Sequence, residues 1–283
     1  MASNTPSNTN STTTEVKDTW SAELYNKNAS FVYSPAFTSA VLSLLDAKPG
    51  EKILDVGCGS GEITADLQKV VGEGGVVVGT DFSRDMIQKS KANGVKYAFV
   101  ADAQALEFPS DLQPHRGAFD AIFTNAALHW CKRDPVGVIK SAKAALKKDG
   151  KGRFVGEFGG YLNCVGLRGA IHSVLRKRGC DPYKLDPWYF PSTQDYQALL
   201  ESEGFEVQHI SLTPRITALP GDLVSWQQTF CRESWLADMT DQEAEEVMKE
   251  VQGLCAVDCQ DASGKWAIMY VRLRFVAVLS QIV

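Results

Sequence analysis

A glycine-rich turn directly after a short apolar run constrains this chain more than any other feature. The segment reads Ile53-Leu54-Asp55-Val56-Gly57-Cys58-Gly59-Ser60-Gly61, and apolar residues at helical spacing follow it. Glycines at alternate positions let the backbone turn tightly and leave room for a ligand to lie against it. Asp55 stands just before the turn, where a carboxylate suits a cationic group such as an amino acid ammonium. The segment therefore predicts a strand, a ligand-binding turn and a helix.

Strand-like apolar runs alternate with helix-period segments between Lys52 and Gly160. Five strands are predicted, over Lys52–Val56, Val76–Thr80, Lys96–Ala101, Phe119–Asn125 and Gly152–Phe158. This alternation indicates a doubly wound α/β fold, in which right-handed crossovers place helices on both faces of a parallel sheet. Ligands of such sheets bind at the carboxyl ends of the strands.

Polar residues stand at the carboxyl ends of consecutive predicted strands. Asp81 ends the second strand, where an acid can accept hydrogen bonds from ribose hydroxyls. Asp102, followed by Ala103, ends the third strand and can accept from an adenine amino group, and Asn125 ends the fourth. Together with Asp55, these residues are expected to line one cleft.

The glycine spacing distinguishes two cofactor classes. The nicotinamide fingerprint G-x-G-x-x-G would place its third glycine at position 62, where this chain has Glu62. A carboxylate at the helix start would also repel a diphosphate, because anion binding there relies on the positive helix end. S-adenosylmethionine fits better, since it carries ribose, adenine, an ammonium and a sulfonium but no phosphate. An NAD(P)-dependent oxidoreductase is the first alternative.

These motifs resemble those of the class I S-adenosylmethionine-dependent methyltransferases. The resemblance rests on residues 53–64, Asp81, Asp102-Ala103 and 119–125, and it is best between Trp20 and Gly160. Residues 125–130 and 157–160 are most similar to small-molecule enzymes of the trans-aconitate and juvenile-hormone-acid methyltransferase type. The resemblance implies an enzyme that uses S-adenosyl-L-methionine to methylate a small-molecule carboxylate, hydroxyl or thiol.

The same resemblance implies a Rossmann-like seven-stranded sheet with an antiparallel last hairpin. Phe205–Leu212 and Trp266–Val278 would form that hairpin, with a helical substrate lid inserted at about 213–262. The expected organisation is a disordered tail over 1–14, a cofactor-binding core with an N-terminal helical cover over 15–160, and the rest of the sheet plus the lid over 161–283. The cofactor contacts that it implies are Tyr25, Phe31, Val32, Asp55, Gly57, Gly59, Asp81, Phe82, Met86, Asp102, Ala103 and Asn125.

The acceptor site is less constrained by the sequence. His129 is a candidate general base near the donor methyl, and it could also be a satisfied wall residue. The predicted substrate pocket comprises His129, Trp130, Tyr161, Trp188 and Trp226, although large rings can also form the core of a small lobe.

Two further sequence features bear on the acceptor. Arginines could hold a substrate carboxylate, although exposed charge on a strand or helix is the simpler interpretation of each. These arginines are Arg168, Arg215, Arg272 and Arg274. Family members that methylate nucleobases carry a Pro-Pro-aromatic sequence after the Asn or Asp that ends the fourth strand. Here Ala126, Ala127 and Leu128 follow Asn125, which argues against a nucleobase acceptor.

Composition excludes several partners. A formal net charge of −5 without a basic stripe argues against nucleic acid, and no apolar run is long enough for a membrane span. The seven scattered cysteines form no disulfide framework, which fits the cytoplasm, and Cys255 and Cys259 lack complementary ligands for a metal.

Met1–Thr14 is rich in Ser, Thr and Asn and does not resemble a signal peptide. A non-catalytic, partner-binding methyltransferase-like domain is the second alternative.

Overall fold

A seven-stranded sheet forms the centre of the computed structural model, which describes residues 18, 21–23 and 35–280. The strands are β1 (Lys52–Val56), β2 (Val76–Asp81), β3 (Tyr97–Val100), β4 (Ala121–Asn125), β5 (Arg153–Gly159), β6 (Phe205–Ala218) and β7 (Ala267–Leu279). Their order is β3-β2-β1-β4-β5-β7-β6. Strands β1 to β5 run parallel, while β7 runs antiparallel to both β5 and β6. The predicted Rossmann-like sheet with an antiparallel last hairpin is confirmed.

Helices connect the strands and cover both faces of the sheet. They are α1 (Pro35–Leu45), α2 (Glu62–Val71), α3 (Arg84–Ala92), α4 (Pro135–Ala145), α5 (Leu167–Lys177), α6 (Pro182–Leu185), α7 (Thr193–Ser202), α8 (Leu223–Phe230) and α9 (Asp241–Cys259). Ser83 caps α3 by accepting from the Met86 N–H, and Asp134 caps α4 by accepting from the Gly137 N–H. In both caps a side-chain oxygen satisfies a backbone donor that has no partner within the helix. In the described part of the chain, no helix combines the length and apolar character that crossing a bilayer requires.

Alternate residues of β1 are buried on opposite faces of the sheet. Ile53 packs in a core that includes Val41 of α1, whereas Leu54 packs in a core that includes Ile139 of α4. Both side chains are fully buried, as expected for a central parallel strand covered on two sides. This two-sided burial fixes where the turn after β1 emerges, at the carboxyl edge of the sheet.

A second lobe, formed by α5, α6, α8 and α9, has its own core. Three buried tryptophans, Trp188, Trp226 and Trp235, lie at its centre. The core continues onto the first residues of β7, where Ile268 and Tyr270 belong to it. Because β7 is antiparallel to β5, these residues lie at the carboxyl edge of the parallel strands. The lobe therefore stands beside the edge at which ligands of such sheets bind.

Three elements differ in length from the sequence expectation. Strand β6 continues to Ala218 instead of ending at Leu212, because it pairs with β7 along the whole hairpin. Proline at position 214 is compatible with this extension, since β6 is an edge strand and an edge can spare one N–H donor. The sequence is helix-like over 222–235 and 241–251, whereas helix α8 ends at Phe230 and α9 continues to Cys259.

Candidate functional site

The turn after β1 has the backbone that its glycines predict. Gly57, Gly59 and Gly61 adopt φ values of +75°, +55° and +86°, in the left-handed region that favours glycine. The N–H groups of Gly57 and Cys58 donate to the Thr80 carbonyl at 2.7 and 3.0 Å, which ties the turn to β2. A Cβ added at Gly57 would lie 2.2 Å from the Ala127 Cβ. Two loops thus approach each other so closely that only glycine fits.

Asp81, the last residue of β2, stands directly beside this turn. One carboxylate oxygen accepts from the Gly59 N–H and the other from the Ser83 N–H, each at 2.9 Å. Burial raises the pKa of Asp81, although these hydrogen bonds oppose the shift. Each carboxylate oxygen has a second lone pair, so both can still accept from a ligand. Asp81 is therefore a fixed, double acceptor at the cavity wall.

Asp102 follows β3 and is held by two partners. One oxygen accepts from the backbone and side chain of Gln104, at 2.9 and 3.1 Å, and the other pairs with Arg133. Burial alone would raise the pKa of Asp102, but the hydrogen bonds from Gln104 and Arg133 outweigh it and lower that pKa. Asp102 is consequently ionised near neutral pH, with its carboxylate fixed at the cavity wall.

These elements enclose a cavity of about 400 Å³ at the carboxyl edge of the sheet. The size lies in the usual range for a small-molecule or cofactor site. Eight of the residues predicted from the sequence line it, namely Gly57, Gly59, Asp81, Phe82, Met86, Asp102, Ala103 and Asn125. The structure thus brings together residues from the ends of four strands, β1 to β4, and from the segments that follow them.

Asp55 is placed differently from the other predicted residues. It is 2% exposed, lies within β1 and accepts a 2.6 Å hydrogen bond from the Thr64 hydroxyl of α2. It is absent from the cavity wall, so its position does not support the expected direct contact with a cationic group. Burial raises the pKa of Asp55 to about 7, with Thr64 opposing the shift and Asp81 adding to it. Tyr25, Phe31 and Val32 lie outside the described residues.

A second, smaller cavity of about 30 Å³ adjoins the first and shares Ala126, Trp130 and Phe230 with it. His129, Trp188 and Trp226, all predicted for the substrate pocket, line this second cavity together with Trp130. Trp188 and Trp226 also belong to the core of the second lobe, as the alternative interpretation of the rings expected. Tyr161, the fifth residue predicted for the substrate pocket, lies away from this second cavity. Tyr161 is 55% exposed and lines neither cavity.

The surroundings of His129 do not support the predicted catalytic role. Its Nδ1 lies 3.4 Å from the Gly159 N–H and accepts from it, and the ring packs near Trp130 and Phe190. Burial, together with the charge of the nearby Arg272, lowers the pKa of His129 to about 3. Such an imidazole is neutral throughout the physiological range and too weakly basic for an efficient general base. His129 is a wall residue of the second cavity.

Sequence reasoning missed the part of the cavity wall that the second lobe supplies. Gln228, Thr229, Glu233 and Ser234 reach the cavity from α8 and the turns after it. They lie more than one hundred residues from the glycine turn, and no motif in the sequence marks them. Arg133 also lines the cavity and was not predicted. It directly precedes Asp134-Pro135, a sequence typical of a helix start, and this position was the one available indication.

The sequence interpretation of the four arginines as exposed charges is wrong for three of them. Side-chain exposure is 17% for Arg215, 5% for Arg272 and 17% for Arg274, and all three face the buried carboxylate of Glu157. The fourth, Arg168, pairs with the buried Asp186 at 2.6 Å. Pairing registers across β5, β6 and β7 bring the three arginines to one place, which no local pattern reveals.

The donors and acceptors of the larger cavity fit S-adenosylmethionine better than a dinucleotide. Fixed carboxylates at Asp81 and Asp102 can accept from ribose hydroxyls and an adenine amine, and the backbone of Gly57 and Gly59 lines the same cavity. At the start of α2, Ser60 donates to Glu62 at 2.8 Å, so a carboxylate stands where a diphosphate would need donors. The described residues contain no group of three or more His, Cys, Asp or Glu that could hold a metal ion.

The sheet order, the glycine turn and the acids at the strand ends together define a Rossmann-like methyltransferase. The methyltransferase domain family matches residues 53–150. An uncharacterized methyltransferase of Schizosaccharomyces pombe is 35% identical over 92% of this chain and 98% of its own length. The chain belongs to the class I S-adenosylmethionine-dependent methyltransferases, and S-adenosylmethionine is its cofactor.

Solved structures share the fold at lower identity. A putative methyltransferase of Bacillus halodurans C-125 matches with a TM-score of 0.58 at 15% identity, over 87% of this chain and 99% of that chain. Phosphoethanolamine N-methyltransferase 2 of Haemonchus contortus, in complex with phosphomonomethylethanolamine and S-adenosylhomocysteine, gives 0.54 at 18% identity, over 92% and 57% respectively. At these identities the likeness concerns the fold.

Proposed function

We propose that this methyltransferase acts on a small molecule whose reacting end enters the second, ring-lined cavity. The observation that carries the proposal is the junction of the two cavities, which share Ala126, Trp130 and Phe230. A cofactor in the larger cavity and an acceptor in the smaller one would meet at this junction. Because the smaller cavity is walled by aromatic side chains, water is largely kept away from the reacting atoms.

In the larger cavity, we assign each predicted residue to contact with one part of the cofactor. Asp81 accepts from the ribose hydroxyls, while Asp102 and Ala103 flank the adenine. Phe82 and Met86 supply apolar contacts to the adenosine. The methionine portion lies along the glycine turn, within reach of Asn125. Tyr25, Phe31 and Val32 are proposed to cover the cofactor, and Asp55 supports the turn from beneath through Thr64.

The reaction needs little chemistry from the protein. When bound, S-adenosylmethionine would supply a methyl group that its positive sulfur already activates, and S-adenosylhomocysteine would be the leaving product. The protein holds the acceptor atom close and in line, and this positioning accounts for most of the acceleration. Trp130 stands at the junction, where a ring face can stabilise the positive sulfur. His129 stays neutral and removes no proton, so a carboxylate or thiolate acceptor suits this site better than a neutral hydroxyl.

Calorimetric titration separates this function from the oxidoreductase alternative. S-adenosylhomocysteine is expected to bind the wild-type chain, and NAD⁺ is not. Asp81→Ala should weaken S-adenosylhomocysteine at least about tenfold, since hydrogen bonds to a charged group contribute about 1.5–3 kcal/mol. Asp66→Ala is the matched control, because Asp66 is exposed on α2 and pairs only with Lys69. Heat with NAD⁺ and none with S-adenosylhomocysteine would reverse the assignment.

A donor-dependent screen then tests the acceptor. Carboxylic acids, phenols and thiols are incubated with the enzyme and S-adenosylmethionine. The products are analysed by mass spectrometry, in which transfer of a methyl group in place of a hydrogen adds the mass of one CH2 group. A methylated small molecule supports the proposal, and methylation of added RNA or protein alone contradicts it. The net charge of −5 supports the prediction that nucleic acid is not a partner.

Location and domain organisation are part of the same proposal. All seven cysteines are free thiols, which fits a reducing compartment, and we place the enzyme in the cytoplasm. We divide the chain into a tail over 1–14, a cofactor-binding core over 15–160 and a second part over 161–283 that includes the substrate lid.

A further inference from the structure

Three guanidinium groups share one carboxylate at the carboxyl edge of β5. Glu157 is 3% exposed, and its Oε2 accepts from Arg274. Its Oε1 lies 3.7 Å from Arg215 Nη1 and 3.9 Å from Arg272 Nε. One negative charge thus faces three positive ones. A buried cluster with two uncompensated positive charges is expensive unless an anion completes it.

Two of these arginines have donors without acceptors. Among the described residues, Arg215 Nε and Nη1 and Arg272 Nε are buried and have no hydrogen-bond partner. Ring faces compensate in part, since Arg215 lies 4.1 Å from the Phe37 ring centroid and Arg272 lies 4.4 Å from that of Tyr270. Burial and the charges of Arg272 and Arg274 lower the pKa of Arg215 to about 10, although Glu157 opposes the shift. The cluster therefore lacks negative charge.

The register of the sheet places this cluster beside the acceptor cavity. Glu157 of β5 faces Arg274 of β7, and Gly159 faces Arg272 two pairs further toward the carboxyl edge. Arg272 lines the second cavity, and its charge lowers the pKa of His129 in the same wall. The cavity of about 30 Å³ has room for about two water-sized atoms. This is the size of the two oxygens of a carboxylate.

We propose that the second cavity is a carboxylate subsite, in which Arg272 binds an acidic group of the methyl acceptor and Arg215 adds its charge from behind. This inference rests on the proposed function, and it narrows the acceptor to a carboxylic acid. Arg274 takes no direct part, because Glu157 already engages it. Arg168 provides the contrast within the same chain, since the buried Asp186 balances it at 2.6 Å.

The test measures acid binding by the full chain loaded with S-adenosylhomocysteine. The probes are benzoate, phenylacetate, hexanoate and succinate, each paired with its neutral carboxamide, and phenyl phosphate as a second oxyanion source. We expect at least one acid to bind at least about tenfold more tightly than its amide, because a charge-assisted hydrogen bond is lost in the amide. This comparison uses the wild-type protein and does not depend on any variant folding.

Variants then assign the effect to Arg272. Arg272→Gln should weaken the preferred acid about tenfold to a hundredfold while S-adenosylhomocysteine affinity stays within about twofold, and Arg272→Lys should restore part of the loss. Arg116→Gln is the control, since Arg116 is exposed and far in sequence from the cluster. Thermal unfolding of every variant verifies that it is folded.

Three results overturn the inference, and they are distinguishable. If S-adenosylhomocysteine binds but no acid is preferred over its amide, the subsite is wrong and the methyltransferase function stands. If phenyl phosphate binds and the carboxylates do not, the carboxylate assignment is wrong. If S-adenosylhomocysteine does not bind the wild-type chain, the proposed function fails and this inference fails with it.

Discussion

Replacement of Gly57 by alanine tests whether the turn after β1 is shaped by the cofactor site. Gly57 has φ of +75°, and a new Cβ would lie 2.2 Å from the Ala127 Cβ. Carbon atoms prefer a separation of about 3.5 Å or more, so Ala127 would have to retreat by more than about 1 Å. Left-handed backbone costs about 1–2 kcal/mol for a non-glycine residue, and overpacking adds about 1–3 kcal/mol. Gly57→Ala should therefore lower the free energy of unfolding by about 2–5 kcal/mol.

Gly179→Ala is the matched control for this variant. Gly179 has φ of +77°, so it carries nearly the same backbone strain, and a Cβ there would meet nothing within 4 Å. It follows α5 and lines neither cavity. We expect Gly179→Ala to lower the free energy of unfolding by only about 1–2 kcal/mol.

Urea unfolding and calorimetric titration of both variants separate strain from site geometry. Gly57 and Ala127 both line the larger cavity, so their displacement should weaken S-adenosylhomocysteine at least about tenfold, or about 1.4 kcal/mol. Gly179→Ala should bind like the wild type. If both variants are folded and bind S-adenosylhomocysteine with equal affinity, the cofactor does not lie against this turn.

Two further predictions concern titratable groups. Burial raises the pKa of Asp55 from 3.8 to about 7, so its contribution to stability is fully present below the lower value and is lost as pH rises through the upper one. Asp55→Asn should therefore gain stability relative to the wild type between these values, by about 4 kcal/mol at most. Urea unfolding at several pH values measures this difference, and a constant difference across the range would contradict it. Because burial holds the pKa of His129 at about 3, His129→Gln should leave the shape of the pH–rate profile unchanged from pH 5 upward, and loss of an inflection in the variant would restore the general-base role.

The wall of the larger cavity was largely predictable because many of its residues stand at or just after strand ends. Asp81, Asp102 and Asn125 follow apolar runs whose lengths and alternation with helices identify a parallel sheet. In such a sheet the carboxyl ends meet at one edge, so residues distant in sequence are brought together by topology alone. The same rule led us to expect Asp55 in the cavity wall, but Asp55 lies within β1 before the turn and is buried beneath it.

The arginine cluster around Glu157 could not be predicted because it depends on registers between distant strands. Arg215 and Arg272 read as ordinary charges in β-type segments, and only the pairing of β5, β6 and β7 gathers them around Glu157. The wall formed by Gln228 and Glu233 likewise depends on how the second lobe packs, and neither residue carries a sequence signal. Tertiary packing, rather than local propensity, decides both features.

A crystal structure of the chain with S-adenosylhomocysteine would locate the proposed cofactor site. We expect that both ribose hydroxyls donate to the Asp81 carboxylate, that the adenine lies beside Asp102 and Ala103, and that the sulfur faces the junction at Trp130. Adenosine bound elsewhere, or an Asp81 carboxylate that bonds only to the backbone of Gly59 and Ser83 in the complex, would contradict it.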